Sequence, residues 1–386
     1  MLLTSVEAIG FRNLAGRMDF GPGMNILWGP NAQGKTSVLE AIYTLANTKS
    51  FRTNSLREAI TFGADEAIVR GTVVRGALTR ETQVRIAGAR KEFYVNGKRT
   101  PTVEYISNLD AIVFSFEEMD VVRGEPSERR RFLDRGIVGL RPAYLRTLAG
   151  YNRILKQKNR LLRDARDASE RATASAGGLR ETIESWNDQL VEAGTRIHRS
   201  RMRYVELICG ALEGNLFGEN IEVRYRSSLE GRGDMSNYAA LLSDRLKLRF
   251  DAELAIGHSL VGPHRDDLEV RIGGREVGRF GSAGQQRSAL LILDLAQVSV
   301  YYDAFEEYPI LLIDDIDAEL DRDRIERLLG YLDGRAQTFV STSKRDIAER
   351  YRSRAEIFSV RAGRVAPAVV TDADIDDRKS GDSVGE

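Results

Sequence analysis

The chain has 386 residues, enough for two or three domains, and 42% hydrophobic with 30% charged residues excludes a disordered chain. Fifty-seven basic residues meet fifty-seven acidic ones, so any nucleic-acid surface must come from a local cluster. One cysteine, Cys209, excludes an intrachain disulfide, and three scattered histidines add too little for a zinc site.

The opening MLLTSVEAIGFRN carries Glu7 early and has no long apolar core, so it does not read as a signal peptide. No run approaches the ~18 apolar residues of a membrane span, and a cytoplasmic protein without membrane contact is expected. LLTSVEAI reads as the first strand. MNILW (24–28) is a short apolar run ending at Gly29, as expected of a buried strand. From Thr36 to Ala46, residues Val38, Leu39, Ala41, Ile42 and Leu45 share one helical face.

Between that strand and helix lies GPNAQGKT: Gly29, Pro30, Asn31, Ala32, Gln33, Gly34, Lys35 and Thr36. It matches the phosphate-binding pattern G-x-x-x-x-G-K-[ST]. The glycines let successive backbone N–H groups point inward at phosphates. Lys35 brings a point charge to the β- and γ-phosphates of ATP, and Thr36 offers a hydroxyl to Mg²⁺. The helix that follows aims its positive end at the same place. An ordinary glycine turn is the alternative. A chance match is on the order of one in a hundred for such a chain, and the strand before and helix after lower it further.

Residues 66–99 read as antiparallel strands with glycine turns, with VNGK as a hairpin signal. DAIVFSF (110–116) is a further core strand. After Pro126 the pattern changes to two long helical segments, 127–172 and 179–212, joined by ATASAGG (172–178) as a helix hairpin. Residues 141–166 carry eight basic side chains against Asp164 alone, a net +7, whereas 180–206 balances five acids with five bases. On charge alone such a run reads as a solvated face. Strands return near 220 with IEVRYRS, then a helix, then LEVRIGG. GSAGQQRS (281–288) alone reads as a loop entering a helix with Ser282 as N-cap.

YPILLI (308–313) is the most apolar strand, and LLIDDIDAELD places Asp314 directly after it. Alone this is an acidic loop. In a P-loop protein, an aspartate at the end of a core strand holds Mg²⁺ through water. Asp315 follows, where a carboxylate orients water. QTFVSTS (337–343) is another strand, and TDADIDDRKSGDSVGE (371–386) is expected to be disordered. The expected organisation is 1–135 and 251–370 as two α/β halves, 136–250 as a helical insert, and 371–386 as an acidic tail.

In this order, GPNAQGKTSVLEAIY, GSAGQQRS and LLIDDIDAELD resemble the Walker A, signature, Walker B and D-loop motifs of an ABC-type ATPase head. FSFEEMDVVRGEPSERRRFLD (114–134), YNRILKQKNRLL (151–162) and VGPHRDDLEV (261–270) narrow the resemblance to the RecF family, over roughly residues 1–365. The fold implied is α/β: a P-loop ATPase head of mixed sheet and flanking helices with an inserted α-helical arm. In such heads the signature motif serves a partner's P-loop. Ser282, Gly284 and Gln285 of one chain would close over the γ-phosphate held by Gly29–Thr36 of another, making an ATP-dependent homodimer.

The resemblance further implies a DNA-binding protein of recombinational repair and replication. It would act on duplex DNA and single-strand/duplex junctions, with RecR and RecO as partners, and help to load RecA. It would be a weak, DNA-stimulated ATPase working as a switch. The resemblance turns the basic run into an arm whose Arg153, Lys156, Lys158, Arg160 and Arg163 meet phosphates with little sequence readout. Tyr144, Leu148, Tyr151, Leu155 and Leu162 are expected to pack the arm rather than stack on bases.

The departures matter. Asp315 stands where transporters have glutamate, so its carboxylate sits about one carbon–carbon bond further from an attacking water, and slow hydrolysis is expected. No switch histidine follows the 337–343 strand, and no glutamine near FSFEE defines a Q-loop. With the basic arm, these argue against a transporter subunit, and a signature motif has no use in a P-loop kinase. Arg129, Arg130 and Arg131 leave two readings open: pairing with acids such as Glu125 and Asp134, or DNA or ATP sensing. His264 beside Asp266 reads as structural.

Overall fold

The computed structural model describes residues 1–170, 176–212 and 216–368. The expected acidic tail lies outside them, as does most of the expected inter-helix link. A six-stranded sheet organises the molecule, in the order Arg364–Pro367, Ala355–Arg361, Met24–Trp28, Thr338–Thr342, Ile310–Ile313, Ala111–Phe114. All neighbours are parallel except the first pair. Parallel strands are covered on both faces, which is why Ile310–Ile313 is a continuous apolar run and Ile26 and Leu27 are fully buried. Thr338–Thr342 sits between the strand leading into Gly29 and the strand leading into Asp314, so their carboxyl ends meet at one edge. Ligands of such sheets bind beyond those ends.

A second, antiparallel sheet runs in the order Gly16–Asp19, Leu2–Ile9, Glu66–Arg75, Leu78–Ala87, Arg90–Val95, Lys98–Arg99. Its VNGK turn is tight because Asn96 and Gly97 both take positive φ, 49° and 73°. The helix Lys35–Asn47 packs against both sheets, with Val38, Leu39, Ala41, Ile42 and Leu45 fully buried.

The insert differs from expectation at its start. The first segment is two helices, Pro126–Leu140 and Tyr144–Glu170, because Pro142 lacks an N–H and bars Arg141 from helical backbone. The second, Ala176–Leu212, packs along both. Gly136 is required at one crossing, since a Cβ there would overlap the Tyr204 hydroxyl. Tyr144, Tyr151 and Leu162 are buried; Leu148 and Leu155 pack against the cluster of Tyr144 and Tyr151, while Leu162 joins a smaller cluster with Ile183 and Phe250.

A three-stranded antiparallel sheet joins Arg275–Glu276, Asp267–Ile272 and Ile221–Arg226. That pairing crosses the boundary expected at 250 and fastens the end of the insert to the second half of the head. The helix Ala283–Phe305 is long and apolar enough to cross a membrane by length and composition, though 72% of its apolar window is buried inside the protein. Its Ala289, Leu290, Ile292 and Leu293 face the insert core, while Leu291, Leu295 and Val298 face the parallel sheet.

Candidate functional site

The loop Gly29–Thr36 connects strand Met24–Trp28 to helix Lys35–Asn47. Gly34 has φ 114° with an ideal Cβ only 3.1 Å from the Asn13 side chain, so both conformation and space demand glycine. The loop is braced from the sheet side. The Ala362 N–H donates to Gln33 Oε1 at 2.8 Å, and the Gly363 N–H donates to the Gln33 carbonyl at 2.8 Å. Lys35 is 5% exposed, and its ammonium donates to the carbonyls of Gly29 at 2.8 Å and Pro30 at 2.9 Å. Burial lowers its pKa, opposed by the charges of Asp315, Asp314 and Asp317. A buried cation held between two loop carbonyls at the start of a helix suits a polyphosphate.

Behind the loop, Glu40 on the same helix is fully buried and takes a two-pronged pair from Arg12 at 2.7 and 2.8 Å, with Ser50 Oγ at 2.6 Å. This fixes the helix on its back side. Arg135 fixes the far end, donating to Tyr43 at 3.0 Å and to both oxygens of Glu118 at 2.8 and 2.7 Å. Neither bracket was visible in the motif.

Thr36 and Asp314 are 278 residues apart in sequence, yet Thr36 Oγ1 donates to Asp314 Oδ1 at 3.0 Å. Ser341 Oγ donates to the same oxygen at 2.7 Å and accepts from the Asp315 N–H at 2.8 Å. Burial pushes Asp314 up to about 6, partly offset by the bonds from Ser341 and Thr36, while the charges of Asp315 and Glu117 add to the rise. A carboxyl raised in the folded state destabilises the fold increasingly as pH rises, with the full cost above about pH 6. A hard cation beside it relieves that cost, and the hydroxyl–carboxylate pair is the oxygen set Mg²⁺ takes when phosphates and waters complete its shell.

Asp315 sits at φ 47°, a left-handed backbone unusual for a residue with a side chain. Its carboxyl is raised by burial against the pull of Lys35. Asp317 was not singled out in the sequence, yet it locks the strand that lacks a switch histidine. It accepts from Thr342 Oγ1 at 2.7 Å and Ser343 Oγ at 3.0 Å. Glu117 stands beside Asp314 because strand Ala111–Phe114 pairs in register with Ile310–Ile313. An acid thus occupies the place where a Q-loop glutamine was sought.

Ser282 caps the helix Ala283–Phe305 in a reciprocal capping box. Its Oγ accepts from the Gln285 N–H at 3.3 Å, and Gln285 Oε1 accepts from the Ser282 N–H at 2.9 Å. Ser282, Gly284 and Gln285 are exposed. Their bonds stay within this helix, and among the described residues none of them reaches Gly29–Thr36. The structure therefore brings together Gly29–Thr36, Asp314 and Asp315 and leaves the signature residues facing outward.

On the arm, Arg153, Lys156, Arg160 and Arg163 are exposed. Lys158 corrects the expectation that it meets DNA. It is fully buried and pairs with the equally buried Glu253 at 2.6 Å. The helix turns Lys158 onto the same face as Tyr151, Leu162 and Ala165, where no phosphate reaches it.

Of Arg129–Arg131, only Arg131 pairs with a nearby acid, while Arg129 and Arg130 reach partners far along the chain. Arg129 makes a two-pronged pair with Asp267 at 2.6 and 3.0 Å, Arg130 donates to the Asp266 carbonyl at 2.7 Å, and Arg131 pairs with Glu128 at 2.6 Å. VGPHRDDL is where head and arm meet. Asp266 is fully buried and accepts from Tyr225 at 2.5 Å and the Ser228 N–H at 2.7 Å. His264 meets the Tyr151 hydroxyl at 2.6 Å, and burial lowers it to about 4, so it is a neutral structural link at pH 7. Arg201 joins the second arm helix to Asp134 at 2.9 and 2.8 Å and to the Pro263 carbonyl at 2.7 Å.

The RecF/RecN/SMC N terminal domain family matches residues 2–366. The DNA replication and repair protein RecF of Lactobacillus delbrueckii subsp. bulgaricus is 35% identical over 373 residues, spanning 95% of this chain and 97% of that protein. RecF of Geotalea uraniireducens is 35% identical over 356 residues, spanning 89% and 93%. A solved recombination mediator protein RecF, described with ATPrS in the RecFOR pathway, superposes with a TM-score of 0.84 at 29% identity, covering 95% and 98%. The Smc head domain of Pyrococcus furiosus shares the fold alone, at TM-score 0.51 and 18% identity. With its phosphate loop, Asp314 strand end, capped signature helix and inserted arm, the chain belongs to the RecF family of ABC-type ATPase heads.

Proposed function

We propose that this chain is a cytoplasmic, ATP-dependent DNA-binding protein of recombinational repair and replication restart. ATP and Mg²⁺ bind at Gly29–Thr36 and Asp314, and binding drives two heads together on DNA at single-strand gaps. Slow hydrolysis then releases them, and the cycle aids RecA loading with RecO and RecR. The head comprises 1–135 and 251–370, and the arm 136–250 with its last strand paired into the head. The observation that carries this reading is the Thr36–Asp314 bond at 3.0 Å, which joins the two halves of a nucleotide–metal site, beside an outward-facing signature helix. Solved RecF relatives described with ATP and with ATPrS support the nucleotide.

Mg²⁺ supplies charge neutralisation for the β- and γ-phosphates. Among the described residues no group of three metal-ligating side chains gathers, which suits an ion completed by nucleotide oxygens and water. Asp315 orients the attacking water from its constrained backbone.

The trans role of the signature gives one test. Ser282→Arg places a bulky cation at an exposed helix start without touching Lys35. Nucleotide affinity of the monomer, measured by calorimetry, should stay near that of the wild type, while ATP-driven dimerisation is blocked. Mixed with Lys35→Met, the serine variant should form dimers with one sound composite site. A monomer that has lost its nucleotide would mean that the signature serves its own P-loop.

The arm gives a second. Neutralising Arg153, Lys156, Arg160 and Arg163 to glutamine should weaken DNA binding for all sequences alike. With about 0.9 of salt slope per contact on duplex DNA, losing two to four contacts flattens the plot of log K against log salt by roughly 2–4. ATP-driven dimerisation should survive. An unchanged slope would make this helix a solvated face.

A further inference from the structure

A groove of about 870 Å³ opens between the end of the phosphate-loop helix, the segment 116–120 and the foot of the arm. Five carboxylates line it, and each holds an arginine. Glu118 pairs with Arg135 at 2.7 Å, Glu128 with Arg131 at 2.6 Å and Asp134 with Arg201 at 2.8 Å. Asp120 and Arg123 lie 3.7 Å apart, and Glu117 and Arg52 3.9 Å.

Two cations remain. Lys49 and Lys91 are exposed to the groove, and neither has an ion-pair partner among the described residues. Lys91 donates to the Thr48 carbonyl at 3.2 Å. Loss of water and the nearby Arg135 and Arg131 lower the pKa of Lys49, against the pull of Asp134. Loss of water and Lys49 lower that of Lys91. Two neighbouring ammonium groups with no ion pair of their own are a site that an anion stabilises.

We infer that this groove binds backbone phosphates of DNA, with Lys49 and Lys91 as the contacts. The inference rests on the DNA-binding reading above and adds a head surface to the arm. The volume far exceeds one phosphate, and two separate lysines suit a repeating anion. Continuity points the same way. Leu145 and Leu148 line the groove at the foot of the arm helix. Lys156 comes eleven residues, about three turns, after Leu145, so it stands on the same side of that helix. A backbone leaving the groove runs onto the exposed arm charges.

The test compares the full-length wild type with K49Q/K91Q in ATP, by fluorescence anisotropy on a duplex across a salt series. Two lost contacts flatten the salt slope by about 1.8, so the wild-type advantage shrinks about 12-fold between about 50 and about 200 mM salt. K49R/K91R restores the wild-type slope, because charge rather than shape is what the phosphates need. ATP affinity and thermal midpoint stay at wild-type values in both variants. Parallel salt plots for K49Q/K91Q and wild type overturn the groove while leaving ATP-dependent DNA binding intact. A K49R/K91R slope as flat as that of K49Q/K91Q does the same. A wild type that binds no duplex at any salt overturns both readings.

Discussion

Lys35→Met should abolish ATP-driven dimerisation outright. The Lys35 ammonium sits between the Gly29 and Pro30 carbonyls, at 2.8 and 2.9 Å, within the ring of the phosphate loop. A hydrogen bond to a charged group contributes about 1.5–3 kcal/mol, and this residue serves two phosphates, so the loss is about 3–6 kcal/mol. That lowers nucleotide affinity at least about a hundredfold. Methionine keeps length and apolar stem, so the loop itself should persist. Asp315→Asn should act in the opposite sense. It preserves size at the left-handed position and removes only the charge that orients water, so ATP-bound dimers accumulate. Light scattering with and without ATP separates the two. A Lys35→Met dimer in ATP, or an Asp315→Asn monomer in saturating ATP, would sink the switch scheme.

The parts of the site legible in the sequence are those set by short-range rules. Gly34 must take a left-handed backbone, Lys35 must follow it, and an apolar strand must end at Asp314; each leaves a local imprint. The strand and hairpin around VNGK were legible for the same reason, since Asn96 and Gly97 specify their turn. What escaped notice depends on pairings far apart in the chain. Ser341 matters because Thr338–Thr342 lies between two other strands, a fact of sheet order that no motif carries. Glu117 matters because its strand neighbours that of Asp314. Arg129 finds Asp267 rather than Glu125 or Asp134, across 138 residues. Pro142 was a visible helix stop that the long helical pattern overrode.

Lys158 is the instructive miss. A count of charges along 141–166 treats all basic residues as one face, but a helix sorts them by angle. Tyr151, Lys158, Leu162 and Ala165 recur at spacings of seven, four and three, a core stripe with a lysine in it. That spacing was available in the sequence. The partner was not, because Glu253 comes from a short helix, Phe250–Ile256, after the insert has turned back.

Glu253→Ala should therefore be among the most destabilising substitutions in the protein. Glu253 and Lys158 are both fully buried, 2.6 Å apart. The other carboxylate oxygen accepts from Ser259 Oγ and from the Leu260 N–H, each at 2.8 Å, and the Ser259 N–H donates to Asn159 at 2.8 Å. One carboxylate thus anchors the arm helix to the chain leading into VGPHRDDL. Removing it leaves an uncompensated buried ammonium, at about 3–5 kcal/mol. Lys158→Met should cost less, because Glu253 keeps its bonds to Ser259 and Leu260. The double variant Lys158→Met/Glu253→Leu should recover most of the stability, since an apolar pair of similar volume replaces a desolvated ion pair at little net cost. Urea unfolding followed by a probe in the arm measures all three. The double variant also decides what Lys158 does. A buried, paired lysine takes no part in counterion release, so the salt slope for duplex DNA should equal that of the wild type. A slope flattened by about 0.9 would show Lys158 leaving Glu253 for a phosphate, and the anchor would then be a DNA-operated latch.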